Sequence, residues 1–184
     1  DDEDYAIDAS ATAVSVSLDV AGSMEGNVTG EALSDSSATA DAMAIGIDGG
    51  AGVDEITNRG AIVCSVDSSA TAVGVAVDID ITKDGDATGA ALSDASVTAD
   101  AAAAGIDGGD DGDTIDNRGN IELTANTEAT GVAVSLDVAG TMKGDAEGSS
   151  VSDASVTATS TATGIEGGEG DDTIDNDSLM TTTK

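Results

Sequence analysis

Aliphatic and polar or small residues alternate strictly through three stretches of this chain. Val73, Val75, Val77, Ile79 and Ile81 take every second place, with Gly74, Ala76, Asp78 and Asp80 between them. Val14, Val16, Leu18 and Val20 repeat the arrangement, as do Val132, Val134, Leu136 and Val138. A period of two is that of a β-strand, one set facing a core and the other facing water. The aliphatic set is expected inside, because slipping by one residue would bury Asp78 and Asp80 without partners. Ile115 and the pair Ile121/Leu123 continue the pattern around the turn-prone Asn117-Arg118-Gly119. Only Ala99–Ala104 suggests a helix, Ala being the best helix former. Its counterpart at 158–163 reads Ala-Thr-Ser-Thr-Ala-Thr, which suits a strand, and equivalent segments of an array share a conformation.

The stretches are copies of one unit. Ala11-Thr12-Ala13-Val14 returns as Ala70-Thr71-Ala72-Val73 and as Ala129-Thr130-Gly131-Val132, a spacing of 59 residues. The same spacing relates Thr39, Thr98 and Thr157, the pairs Gly49-Gly50, Gly108-Gly109 and Gly167-Gly168, and Asn58, Asn117 and Asn176. No linker interrupts it, so residues 1–184 form a single array with units at about 11–69, 70–128 and 129–184, while 1–10 continue the preceding phase. Within a unit, a small residue followed by Val or Ile recurs after 33 residues, as in Ala72-Val73 and Gly105-Ile106, leaving 26 to the next unit. This predicts two coils per unit, with Gly26, Gly85, Gly144 and Gly30, Gly89, Gly148 at corners. The expected fold is all-β, a parallel β-solenoid of about six coils and roughly 30 Å of stacked strands at ~4.8 Å per coil.

Composition narrows the function. There are 37 acidic and 5 basic side chains, a net charge of -32, and no His, Pro, Trp or Phe. Such a chain repels phosphate and has no basic stripe or aromatic platform for nucleic acid. Anionic membranes are disfavoured likewise, and no apolar run is long enough to insert in a bilayer. High charge often means disorder, but 39% of residues are apolar, which supports a thin core of small side chains. The sequence begins at Asp1 with neither Met nor a signal peptide, so a processed chain or an excised segment is expected. Without His, the usual general base and zinc ligand are missing. Pairs such as Asp171/Asp172 suit glycosidase chemistry, but no aromatic sugar platform accompanies them. No nucleophile, base and orienting group assemble, and an enzyme is not expected.

The most specific local motif is Gly49-Gly50-Ala51-Gly52-Val53-Asp54-Glu55-Ile56-Thr57, matched by Gly167-Gly168-Glu169-Gly170-Asp171-Asp172-Thr173-Ile174-Asp175. Both resemble the calcium-binding nonapeptide of RTX proteins, a Gly-rich turn with carboxylate and carbonyl oxygens followed by a short strand. The middle copy, Gly108-Gly109-Asp110-Asp111-Gly112-Asp113-Thr114-Ile115, has Asp where the third Gly belongs. The resemblance implies calcium as cofactor. The candidate ligands are Asp48, Asp54, Asp107, Asp110, Asp111, Asp113, Asp116, Glu166, Glu169, Asp171, Asp172 and Asp175. With two coils per unit, matching turns would stand roughly 10 Å apart, too far to share an ion at ~2.4 Å ligand distances. Each site would then be completed within one turn or by the other coil, for example through Asp84 and Asp86. The wider pattern, Gly-Ile-Asp-Gly-Gly followed by Asp-x-Ile-x-Asn and Ser/Thr/Ala-rich strands, is similar to very long repeat proteins of bacterial surfaces. That likeness implies an extracellular or cell-surface location and an adhesin-like or matrix-forming role.

The remaining signals are weaker. Cys64 falls where the next unit has Leu123, which reads as a core position. Sequons at Asn27 and Asn176 are read as chance, since Asn27 becomes Asp86 and Asp145. Thr157, Thr159, Thr161 and Thr163 suggest an ice-binding row, but the preceding unit has Thr98, Asp100, Ala102 and Ala104. Neither end carries a capping helix, and Tyr5-Ala6-Ile7 is in phase with Thr182-Thr183-Lys184. An uncapped solenoid exposes unpaired backbone. The expected function is therefore an acidic structural solenoid that stacks head to tail with copies of itself into a fibre or matrix, stabilised by calcium. The alternatives are a calcium-dependent adhesin that does not polymerise and an ice-binding protein.

Overall fold

Every 59-residue unit supplies two long strands and one short one. In the computed structural model, which describes residues 4–178 and 180–183, the first unit forms β1 (Asp4–Ser23), β2 (Val28–Asp48) and β3 (Glu55–Asn58). The second forms β4 (Ile62–Asp84), β5 (Ala87–Asp107) and β6 (Thr114–Asn117). The third forms β7 (Ile121–Lys143), β8 (Ala146–Glu166) and β9 (Thr173–Asn176), after which β10 (Met180–Thr183) follows. Three parallel sheets result, in the orders β1-β4-β7-β10, β2-β5-β8 and β3-β6-β9. The chain is an all-β parallel solenoid, and Ala99–Ala104 lies in β5 as strand.

The strand register corrects the number of coils. Val14 pairs with Val73 and Val73 with Val132, while Thr39 pairs with Thr98 and Thr98 with Thr157. Each residue thus lies beside its equivalent 59 positions away, so one unit is one coil. There are three coils rather than six, with β10 opening a fourth. The recurrence after 33 residues joins opposite sheets of one coil: Ala72-Val73 is in β4 and Gly105-Ile106 in β5. The two sheets stack face to face, not edge to edge, and within them Ala72 packs against Ala95 and Val97 while Ile106 packs with Ile62 and Cys64. The result is a flattened plate, about 70 Å along its 21-residue strands and only roughly 15 Å through its three coils.

The phase of the alternation is also the reverse of expectation. Ala72, Ala76, Asp78 and Asp80 are buried, whereas Val14, Val16, Leu18 and Val20 point outward at 62–69% exposure. Val132, Val134, Leu136 and Val138 are exposed too. The cause is the depth of the interior. β2 and β5 face inward with Ala32, Ser34, Ala38, Ala40, Ala91, Ala95 and Ala99, and the facing strand offers Ala70, Ala72 and Ala76. Between such small side chains the sheets lie too close for rows of Val and Leu. Only near β3, β6 and β9 does the core widen to hold Ile56, Ile62, Val66, Ile106, Ile115, Ile121 and Leu123. Cys64 is buried there beside Leu123, and burial raises its thiol pKa, as suits a core residue.

Two kinds of turn close each coil. At one end the chain reverses sharply through Gly26, Gly85 and Gly144, whose φ values of 101°, 138° and 132° place them in the left-handed region. Gly30, Gly89 and Gly148 are not corners. They lie within β2, β5 and β8, where their missing side chains leave room for carboxylates from the opposite sheet. At the other end the Gly-Gly turns, the short strands and the Asn-Arg-Gly or Asn-Asp-Ser turns carry the chain back.

Candidate cation-binding turns

Three Gly-Gly turns stack in register, one coil apart. Gly50, Gly109 and Gly168 take φ values of 87°, 100° and 93°, and Ala51, Asp110 and Glu169 bridge successive turns. Glycine is required because a Cβ on Gly109 would run into the Gly50 carbonyl of the coil before it. Two places on, Gly52 and Gly170 are also left-handed, and the middle coil sets Asp111 there at φ 72°. Asp tolerates this region better than most residues but at some cost. With calcium chelated, Asp111→Gly should therefore raise stability by about 1 kcal/mol, read as a higher midpoint in urea.

The sixth residue of each turn builds a carboxylate column. Asp113 Oδ1 accepts the Asp54 amide at 2.7 Å, and Asp172 Oδ1 accepts the Asp113 amide at 2.8 Å. These bonds lock each carboxylate between two coils. The second oxygens of Asp54 and Asp113 are buried and have no hydrogen-bonding partner among the described residues. Asp113 is 1% exposed. Asp48, Asp107 and Glu166 form a second column, paired along β2, β5 and β8. Asp110 and Glu169 stack in a third. Like charges at adjacent ladder positions repel, so these columns favour a cation between coils.

Other candidates are less engaged. Asp116 pairs with Asp175 along β6 and β9, but its Oδ1 accepts the Arg118 guanidinium at 2.8 Å. Asp111 and Asp171 are exposed on the turn surface. Asp84 and Asp86 cannot complete these sites, because they lie at the hairpin turn, a full strand length away. Asp84 instead faces Lys143 at 3.0 Å, and Asp86 joins a side-chain ladder from Asn27 to the Asp145 amide. The 10 Å argument against a shared ion also falls, since matching turns occupy adjacent coils. Among the described residues no three His, Cys, Asp or Glu side chains converge into a ready-made metal cage.

Beside the turns runs an amide ladder. Asn58 Nδ2 donates to Asn117 Oδ1 at 2.7 Å, and Asn117 Nδ2 donates to Asn176 Oδ1 at 2.7 Å. Asn117 is fully buried. In the sequence Asn117 reads only as a turn former; its recurrence at 59 residues was the available sign of a ladder.

A group of carboxylates that the alternation places on the surface lies inside instead. Asp19, Asp78 and Asp137 are paired along β1, β4 and β7 and face the interior, with Asp80 two residues beyond Asp78. The sign that could have revealed them is Gly30, Gly89 and Gly148, a column of glycines opposite. Burial first, and then the charge of Asp78, push the Asp80 carboxyl above the ordinary range, against a smaller pull from the Gly30 amide.

Comparisons with protein-family models, curated proteins and solved structures gave no match to this chain.

Proposed function

We propose that this chain is a non-enzymatic structural protein of the cell surface or extracellular space, whose coils stack head to tail with those of further copies and whose acidic turns hold calcium. The observation that carries the stacking is the open edge. Among the described residues β1 and β2 on the first coil, and β8 and most of β7 on the third, have no strand on their outer side. Each edge is about twenty residues long and presents free backbone groups. Beyond Thr124, where β10 ends, the outer edge of the third coil offers the same 59-residue register that joins the coils internally, so another copy can continue the ladder there without a new kind of contact. The extracellular placement rests on the likeness to surface repeat proteins.

Calcium is supported by the oxygen-only donor set and by the unpartnered Oδ2 atoms of Asp54 and Asp113. Coils stand ~4.8 Å apart, about twice a calcium–oxygen distance of ~2.4 Å. Asp54, Asp113 and Asp172 would hold the ion, helped by Asp48, Asp107, Glu166 and the turn carbonyls. Calcium would there neutralise the carboxylate columns and tie one coil to the next.

Electron microscopy and sedimentation of the purified chain test both parts. With calcium, filaments should lengthen with concentration, and EDTA should lower the melting temperature markedly. Monomers alone at high concentration with calcium present would refute stacking, and an unchanged melt in EDTA would refute calcium. A second reading is favoured by the outer face of the β1-β4-β7 sheet, where rows of Val, Leu and Ile lie open to water. Contiguous apolar surface of this extent marks interaction sites, so an adhesin that binds a surface without polymerising is the alternative. The ice-binding reading has no such support, because the Thr row of β8 pairs with Asp100, Ala102 and Ala104 in β5.

A further inference from the structure

The carboxylates at the hairpin end lie between the sheets, away from the Gly-Gly turns. One oxygen of each column member is held by the opposite sheet: Asp19 Oδ2 accepts the Glu31 amide at 3.1 Å, and Asp78 Oδ2 accepts the Ala90 amide at 2.8 Å. Asp137 Oδ2 accepts the Ser149 amide likewise. The other oxygens of Asp78 and Asp137 are buried without a hydrogen-bonding partner among the described residues, and both oxygens of Asp80 are buried with no full hydrogen bond, only the weaker pull of the Gly30 amide. Asp78 and Asp80 are each 0% exposed.

These oxygens converge. Asp78 Oδ1 and both oxygens of Asp80 all lie within 2.7 Å of the point where a Cβ on Gly30 would sit. Two carboxylates brought together in a dry interior cannot both stay ionised uncompensated. Lys83 and Lys143 are well exposed on the turn and face Asp84 instead. Nor does packing call for an acid at position 80, since its ladder neighbours are Ala21 and Ala139. Only the central coil carries the second carboxylate, which makes this a single site and not another column.

We infer that Asp78 and Asp80, against the cradle left by Gly30, form a buried binding site for one divalent cation of the calcium type. Two negative charges are balanced by one divalent ion, and three carboxylate oxygens are hard donors suited to calcium. Magnesium retains several waters, for which fully buried Asp78 and Asp80 and the Gly30 cradle leave little room, although the ladder neighbours Ala21 and Ala139 are half-exposed. Asp19 and Asp137, one coil to either side, add to the negative potential.

The site is independent of the Gly-Gly turns, and the test separates the two. The full chain, freed of metal, is titrated with calcium by equilibrium dialysis alongside Asp80→Ala, Asp80→Asn and Asp113→Asn. Asp80→Ala and Asp80→Asn should each lose one bound calcium per chain and part of the calcium-induced rise in melting temperature, whereas Asp113→Asn keeps this ion. Should Asp80→Ala fail to fold, the isosteric Asp80→Asn decides. Unchanged stoichiometry and affinity in the Asp80 variants would overturn the site. Loss of an ion in Asp80→Asn but none in Asp113→Asn would instead retain it and reject calcium at the turns.

Discussion

Asp-rich turns draw attention, but Gly109→Ala should be among the most damaging single methyls that can be added to this chain. A Cβ there would run into the Gly50 carbonyl of the neighbouring coil, and φ is 100°. Left-handed strain alone costs a non-glycine residue about 1–2 kcal/mol. The clash is with backbone, so the coils must part at the turn that aligns their carboxylates. A loss of about 4 kcal/mol is expected, read as a large fall in the urea midpoint. Gly140→Ala is the control: nothing lies within 4 Å of its Cβ position, and the change should be close to neutral.

Asn117→Ala is expected to cost nearly as much, about 2–4 kcal/mol. The substitution removes the acceptor of the Asn58 amide and the donor to Asn176 and Ser178. It also strands the Asn58 side chain, which is 7% exposed and has little access to replacement water. An unmet buried donor costs more than the mean worth of a hydrogen bond. Asn176→Ala at the exposed end of the ladder should lose under ~1 kcal/mol, so thermal melts of the pair separate burial from hydrogen-bond number.

The repeat made the strands and their parallel stacking legible. A chain that returns to the same residues every 59 positions can align equivalent side chains coil upon coil, and the ladders from Val14 to Val132 do so. The inside and outside of the long strands were not legible from hydrophobicity, because aliphatic residues alone suggest that Val73 and Val75 are buried. The missing cue is strand length. Ile62, Cys64 and Val66 face the core, and β4 runs without a break from Ile62 to Asp84, so the same parity carries Ala72, Ala76, Asp78 and Asp80 inward. The alternation of Val73 to Ile81 taken by itself does not carry that constraint. The count of coils failed for a related reason, since similar segments of opposite sheets look like successive turns when only spacing is read. The acidic turns were identifiable as motifs, whereas the interior Asp78/Asp80 pair emerges only once the two sheets face each other across Gly30.

The 59-residue register also sets how this chain must emerge and fold in time. No residue of the first coil can form its ladder bonds until its equivalent in the second has been made. Synthesis at about 5–20 residues per second imposes a wait of roughly 3–12 s between coils. Closing the first long loop carries an entropic cost that grows only slowly with length, after which each neighbouring pair zips without a new closure. The first completed coil then becomes a template, and every later coil finds its edge already laid out.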